Sequence, residues 1–89
     1  MAWRVEFAKG AQKDLTKLDQ PGRHRILRFL SERVENSDDP RSLGESLKGP
    51  TLDRYWKYRV GDYRIICDLQ DALILVLVLR VGHRRDVYR

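Results

Sequence analysis

The segment "YWKYRVGDYRIICDLQDALILVLVLRV" (55–81) contains the strongest strand signals in the chain. Apolar and polar residues alternate over 55–60 and again over 63–70, as expected for strands with one buried face. A glycine and an aspartate separate these two runs, which is typical of a two-residue hairpin turn. The run at 72–81 is nearly all apolar and predicts a central strand that is covered on both faces. The segment therefore predicts a three-stranded antiparallel meander.

The first third of the chain predicts one strand and two helices. Residues 3–7 alternate in polarity and predict a strand, and from residue 8 the apolar spacing changes to that of a helix. The apolar stripe of this helix consists of Ala8, Ala11, Leu15 and Leu18. "DQPG" (19–22) ends the helix, and its proline fits the first turn of a second helix. Two helices joined by so short a turn predict an antiparallel hairpin.

The remaining segment, residues 36–53, is rich in proline, glycine and small polar residues, which predicts a loop with one helical turn. The predicted order of elements is therefore β-α-α-β-β-β. This is an α+β fold with an N-terminal strand, a helical hairpin and a three-stranded antiparallel meander, in which the hairpin packs on one face of the sheet. A length of 89 residues suits one domain, 1–89.

The composition argues against several classes of protein. A single cysteine, Cys67, is predicted to lie in the core, and the two histidines are too far apart in sequence for a zinc motif. No metal or cofactor is therefore expected. The N-terminus lacks the apolar segment of a signal peptide, and the run at 72–79 is too short to span a bilayer. The sequence predicts a cytoplasmic protein without a membrane partner.

Positive charge is concentrated in the C-terminal part of the chain. The net charge is +5; residues 1–53 hold 10 Lys and Arg against 9 Asp and Glu, and residues 54–89 hold 8 against 4. A basic half attracts polyanions, of which nucleic acid is the most common. The alternative is a mild basic bias without a functional role.

The strand pattern predicts where the cationic residues lie. Alternation places Lys57 and Arg59 on one face of their strand, together with Tyr55, and the hairpin brings Arg64 toward them. The end of the last strand then supplies Arg80, His83, Arg84, Arg85 and Tyr88. Because neighbouring strands of a meander lie side by side, we expect these groups to converge on one concave surface.

These residues also have ordinary structural interpretations. Lys57 and Arg59 suit the solvated face of a half-exposed strand. Arg64 suits a surface ion pair with a neighbouring aspartate, which contributes little to stability. The alternatives for His83 and Tyr88 are an exposed histidine and a tyrosine that packs against the helices.

The functional interpretation is metal-free cleavage of RNA. The sequence has no nucleophile elbow, no paired catalytic carboxylates and no phosphate-binding glycine loop. In RNA the ribose 2′-OH is itself the nucleophile, so a protein has to remove its proton, stabilise the phosphate and protonate the leaving 5′ oxygen. Arg and Lys can stabilise the developing charge. A Lys, His or Tyr among cations has a lowered pKa, which suits proton transfer.

Three stretches, "LKG" (47–49), "YWKYRVGDYRII" (55–66) and "RVGHRRDVY" (80–88), resemble the RelE branch of the RelE/ParE toxin superfamily. The resemblance extends over nearly the whole chain. It implies a compact, microbial-ribonuclease-like fold and the toxin of a type II toxin–antitoxin system. The implied activity is that of a ribosome-dependent endoribonuclease, which cuts mRNA in the ribosomal A site and so inhibits translation.

The resemblance also implies roles for individual residues. By position, the implied catalytic residues are Lys57, Arg59, Arg64, Arg84 and Tyr88. An alternative register of the strand places Tyr55 and Lys57 at the family's two lysine positions. His83 stands where a lysine can occur in the family. The residues expected to contact RNA beside the catalytic set are Tyr55, Arg80, His83 and Arg85.

The partners that the resemblance implies are a cognate antitoxin, the 30S A site of the ribosome and mRNA. The complex of toxin and antitoxin is expected to bind operator DNA through the antitoxin. Two alternatives remain at this point. One is the ParE branch, which shares the fold and inhibits DNA gyrase by binding, without cutting RNA. The other is an RNA-binding module without catalysis.

Overall fold

The computed structural model describes residues 3–47 and 55–85. These residues form a five-stranded sheet with two helices on one face, which confirms the predicted α+β class. The strands are β1 Arg4–Phe7, β2 Glu45–Ser46, β3 Tyr55–Val60, β4 Tyr63–Gln70 and β5 Leu75–His83. The helices are α1 Lys9–Lys17 and α2 Gln20–Phe29, which continues into a π-helical turn, Leu30–Val34. Neither helix is long and apolar enough to cross a membrane.

The strands lie in the order β1-β5-β4-β3-β2. The meander β3-β4-β5 is antiparallel as predicted, and β1 pairs with β5 in parallel, from Arg4 opposite Leu75 to Phe7 opposite Val78. The β3–β4 hairpin has the predicted two-residue turn. Gly61 has φ 60° at the first turn position, a conformation that glycine adopts without strain.

The bounds and the environment of β5 differ from the prediction. Residues 71–73 form a 3₁₀ turn instead of the start of the strand, and Ile74 has φ 49°, so the strand begins at residue 75 and ends at 83. Arg41 donates two hydrogen bonds of 2.8 Å to the Asp71 carboxylate and so holds this turn. The expected cover on both faces is wrong for Leu77 and Leu79, which stay partly exposed because the helices pack on one face.

The core lies between the helices and one face of the sheet. It is formed by the buried residues Ala11, Ile26, Leu30, Val34, Tyr58, Val60, Ile65, Cys67, Leu69, Val76, Val78 and Val81. Cys67 is buried as predicted, and burial raises the pKa of its thiol. The buried Tyr58 hydroxyl donates a 2.8 Å hydrogen bond to the Pro40 carbonyl. This bond satisfies a polar group that burial would otherwise penalise.

The connection between the helices follows the sequence signals. The Asp19 side chain accepts a 2.9 Å hydrogen bond from the Gly22 N–H and so caps α2, with Pro21 in its first turn. Helix α1 packs on β5, and α2 packs on β3. The two helices therefore cover different strands of the same face.

The segment predicted as loop 36–53 contains more structure than expected. The predicted helical turn is present as the 3₁₀ turn Pro40–Leu43, but the short strand β2 was not predicted. Glu45 of β2 lies directly opposite Lys57. A side chain on Gly44 would collide with the Lys57 carbonyl oxygen, so glycine is what allows this close approach to β3.

A buried carboxylate fixes α1 to the end of β5. Asp14, whose side chain is 10% exposed, accepts hydrogen bonds from Arg80 Nε at 2.8 Å and from the Val81 N–H at 2.9 Å. Burial by itself would raise the pKa of Asp14, but the hydrogen bonds from Arg80 and Val81 outweigh it, so the pKa lies below its ordinary value of 3.8.

We predict that Asp14→Asn lowers the free energy of unfolding by about 1–2 kcal/mol at neutral pH, because a charge-assisted pair is lost. Since the pKa of the folded state is lowered, the stabilisation is fully present above pH 3.8 and is lost as the pH falls through the folded-state pKa. Urea denaturation at several pH values measures this difference. The matched control is Glu32→Gln, which removes an exposed i,i+4 pair with Arg28 and should change stability by less than about 0.5 kcal/mol.

Candidate active site

The face of the sheet opposite the helices carries a group of cations from two strands. Lys57 and Arg59 project from β3, and Arg64 projects from β4, directly opposite Arg59. Two like charges that face each other across a strand pair reduce stability. This placement is therefore more typical of an anion-binding site than of a surface selected for stability.

The turn between β3 and β4 brings two of the predicted arginines near each other. Arg64 Nη1 donates hydrogen bonds of 2.9 Å to the carbonyl oxygens of Gly61 and Tyr63. The Arg84 backbone N–H donates a 2.8 Å hydrogen bond to the Asp62 carbonyl. Arg64 through its side chain and Arg84 through its backbone N–H thus both contact residues in or beside the hairpin turn.

A carboxylate that was not predicted lies among these cations. Glu45 Oε1 is 3.0 Å from Arg59 Nη2 and 3.6 Å from Lys57 Nζ. The Lys57 side chain is 19% exposed, whereas those of Arg59 and Glu45 are more than half exposed. These three residues line a hollow of about 270 Å³ together with Ser42, Leu43 and Gly44. Glu45 stands alone in a stretch without periodicity, so no sequence pattern marked it.

The structure places Arg80 away from this group. Arg80 lies opposite Ile66 in the β4–β5 ladder, but Asp14 holds its guanidinium against α1. With Lys17 and His83, this pair lines a second hollow of about 270 Å³ between α1 and the end of β5. Arg80 thus forms a structural ion pair with Asp14. Its contact with RNA remains a prediction.

His83 is on the other face of the sheet. It lies opposite Tyr63, and the two rings meet edge to face with centroids 6.3 Å apart. The Tyr63 hydroxyl is in turn 3.4 Å from the Asp19 carboxylate that caps α2. Because Tyr63 and His83 share the face that the helices cover, the structure does not bring His83 together with Lys57, Arg59 and Arg64.

The remaining predicted residues have varied placements. Tyr55 shares a face with Lys57 by alternation and lies opposite Asp68, about 13 Å along the strand from Arg59. Arg85 is exposed, and its N–H donates to His83 Nδ1 at 3.4 Å. Tyr88 lies outside the described residues, so its place in the site stays a prediction.

Within 3–47 and 55–85, no three His, Cys, Asp or Glu side chains are grouped to hold a metal ion.

The family model for the ParE toxin of type II toxin–antitoxin systems, parDE, matches residues 5–88. The chain belongs to the RelE/ParE toxin superfamily. Toxin RelG of Mycobacterium tuberculosis is 33% identical over 91 residues, an alignment that covers 100% of this chain and 99% of RelG. As a member of this superfamily, the chain is the toxin of a type II toxin–antitoxin system.

Solved structures of RelE toxins share the fold. The toxin–antitoxin complex RelBE2 from M. tuberculosis contains a chain that superposes with a TM-score of 0.85 at 27% identity, covering 94% of this chain and 100% of that one. The RelB–RelE antitoxin–toxin complex from Methanococcus jannaschii gives a TM-score of 0.70 at 30% identity, with 94% and 95% covered. The sheet order and the helical layer are therefore those of RelE toxins.

The charge arrangement of this RelE/ParE toxin suits a phosphodiester. Guanidinium and ammonium groups form short, charge-assisted hydrogen bonds to phosphate oxygens. Lys57, Arg59 and Arg64 project from paired strands, so their backbone positions do not depend on a loop. Such a surface can hold a phosphate from several sides.

We predict that Arg64→Ala changes the free energy of unfolding by less than about 1 kcal/mol, because the lost bonds to two carbonyls are offset by removal of the like charge opposite Arg59. Urea denaturation measures the change. A loss above about 2 kcal/mol would show that Arg64 is needed for the fold rather than for binding an anion.

Proposed function

We propose that this RelE/ParE toxin is an endoribonuclease that enters the ribosomal A site, cuts the mRNA there and so stops translation. The observation that supports this most directly is the grouping of Lys57, Arg59 and Arg64 on the open face of the sheet, the face opposite the helices. A cationic surface of this kind suits a substrate that brings its own nucleophile and requires charge stabilisation.

In the proposed reaction the ribose 2′-OH attacks the adjacent phosphorus. Lys57, Arg59 and Arg64 stabilise the charge that develops on the phosphate oxygens. The 2′-OH gives up its proton, by way of a Lys or Tyr of the site or to solvent, as its oxygen bonds to phosphorus. The bond from phosphorus to the 5′ oxygen breaks with its electron pair on that oxygen, which takes up a proton from the site or from solvent. The products are a 2′,3′-cyclic phosphate and a 5′-hydroxyl. Arg84 adds positive charge beside the hairpin turn, and the Tyr88 hydroxyl helps to align or deprotonate the 2′-OH. The ribosome supplies the in-line geometry of the mRNA, which contributes through orientation.

The second candidate is inhibition of DNA gyrase, which the description of the matching family as ParE favours. One experiment separates the two. Purified toxin is added to ribosomes programmed with a defined mRNA, whose 5′ ends are then mapped, and in parallel to gyrase with relaxed plasmid. New mRNA ends in the A-site codon support cleavage. Blocked supercoiling without new mRNA ends would overturn the proposed cleavage. If neither effect is seen, the remaining candidate is an RNA-binding module without catalysis.

The proposed partners follow from the same activity. A cognate antitoxin should bind this toxin, as RelB binds RelE in the complexes that share its fold. An antitoxin segment that covers a basic face should associate more slowly as salt is raised. Because its proposed targets, the ribosome and mRNA, are in the cytoplasm, we expect the toxin to act there. Binding of operator DNA by the complex, through the antitoxin, remains a prediction.

We predict that Arg64→Ala and Arg84→Ala each slow single-turnover cleavage on ribosomes by about 100-fold or more, the usual effect of losing one transition-state contact to a developing charge. The matched control is Arg28→Ala, which removes an exposed arginine of α2 outside the open face. Wild-type rates in both site variants would remove these residues from the active site.

We predict that Tyr88→Phe slows single-turnover cleavage by at least about tenfold, the lower range of general acid–base contributions. Ribosome binding should change little, because it depends on many contacts between Lys or Arg and phosphates. Rapid-quench assays measure the rate, and pelleting with 30S subunits measures the binding. An unchanged rate would mean that the hydroxyl has no part in the reaction.

A further inference from the structure

An arginine of the helical layer lies against the hairpin turn between β3 and β4. A β-carbon built on Gly61 would stand 2.7 Å from Nη2 and 2.8 Å from Nη1 of Arg25, so the guanidinium of this α2 residue lies beside the glycine. Arg64 Nη1 donates a 2.9 Å hydrogen bond to the Gly61 carbonyl. The Arg84 N–H donates a 2.8 Å hydrogen bond to the Asp62 carbonyl. Arginines from α2, from β4 and from the segment after β5 therefore meet at one two-residue turn.

The guanidinium of Arg25 makes no hydrogen bond or ion pair within residues 3–47 and 55–85, and the residue is exposed. Other arginines of the chain are paired with a carboxylate at 2.8 to 3.3 Å, namely Arg4, Arg28, Arg41, Arg59 and Arg80. The N–H donors of Arg25 are therefore available to a group from outside the described chain.

Stability does not explain the presence of a second guanidinium at Gly61. The guanidinium groups of Arg25 and Arg64 both lie beside this glycine, and two like charges at short range repel each other. A neutral side chain could cover the turn without this repulsion. Guanidinium groups bind phosphate oxygens through two parallel hydrogen bonds, so the arrangement is typical of a site for a phosphate.

The two guanidinium groups lie on different sides of the turn. Arg64 belongs to the open face, whereas Arg25 comes from α2 on the helical side of the sheet. An RNA strand that leaves the open face at this end of the hairpin has to pass over Gly61. Its next phosphate then comes within reach of Arg25.

We propose that Arg25 binds an mRNA phosphate that neighbours the scissile one, at the point where the strand passes over the hairpin turn. This inference rests on the proposed cleavage of RNA. The scissile phosphate lies at Lys57, Arg59 and Arg64, and the charge of its neighbour does not change during the reaction. A contact to that neighbour is equally strong before and in the transition state, so Arg25 contributes to binding and not to the chemical step.

Equilibrium binding to programmed ribosomes tests the role of Arg25. The mRNA carries 2′-deoxyribose at the cleaved nucleotide, so the toxin binds but the nucleophile is missing. The variants are Arg25→Ala, Arg25→Lys and Arg25→Gln, and the matched control on the same helix is Arg28→Ala. We expect Arg25→Ala to bind about fivefold more weakly, as for the loss of one exposed charge contact.

The salt dependence and the conservative variants identify the contact as one with a phosphate. The slope of log K against log salt should become shallower by about 0.7 in Arg25→Ala, the value for one phosphate of a single strand. Arg25→Lys should keep most of the affinity, because it keeps the charge, and Arg25→Gln should not. Wild-type affinity in Arg25→Ala or in Arg25→Gln would overturn the proposal.

Neutral phosphates distinguish mRNA from ribosomal RNA as the ligand. In a second mRNA, methylphosphonates replace the phosphates on both sides of the scissile one. Wild type and Arg25→Ala should bind ribosomes with this mRNA equally well. A defect of Arg25→Ala that persists unchanged would assign the contact to ribosomal RNA and overturn the contact with mRNA.

Single-turnover cleavage of ordinary mRNA distinguishes binding by Arg25 from support of the turn that holds Arg64. At saturating toxin, the rate of Arg25→Ala should lie within about twofold of wild type, because only uniform binding is lost. A rate lower by about tenfold or more would make Arg25 a positioning residue and overturn its role in binding. Circular dichroism confirms that each variant is folded. Failure of the wild type itself to cut ribosome-bound mRNA would instead overturn the proposed function.

Discussion

The fold depends on the attachment of α1 to the free edge of β5. Beyond Val78, β5 has no partner in β1, so the backbone N–H groups on that side need other acceptors. Asp14 supplies one acceptor for Val81 and at the same time neutralises Arg80. An unpaired strand edge invites association with other chains, and here a helix with a buried carboxylate covers it. Through this contact α1 protects the strand that carries the chain toward Arg84.

Because side chains alternate along a strand, one face of the sheet forms the core and the other carries the cations. On β3 and β4, the residues at one parity fill the core, among them Tyr58 and Cys67, and those at the other parity carry Lys57, Arg59 and Arg64. The same two strands therefore provide both the packing energy and the charged surface. Cations can be concentrated on such a face without opening the core, because the two sets of side chains are separated by the thickness of the sheet.

Much of this arrangement follows from local patterns in the sequence. The hairpin at Gly61 and the cationic face were predictable, since a period of two fixes which side chains share a face. The short strand β2 was not, because two residues show no periodicity, and with it Glu45 was missed. The ion pair of Arg80 was not predictable, because its partner Asp14 lies 66 positions earlier in the sequence. The contribution of Tyr88 is still an expectation.

The brevity of β2 has a consequence for motion. A two-residue strand at the rim of a sheet opens locally at a small free energy, whereas inner strands such as β4 and β5 open only with most of the domain. Glu45 therefore lies on a strand that opens readily, whereas Lys57, Arg59 and Arg64 lie on strands that stay paired. The contact of Glu45 with Lys57 and Arg59 is therefore expected to open more readily than the pairing of the strands that carry these cations.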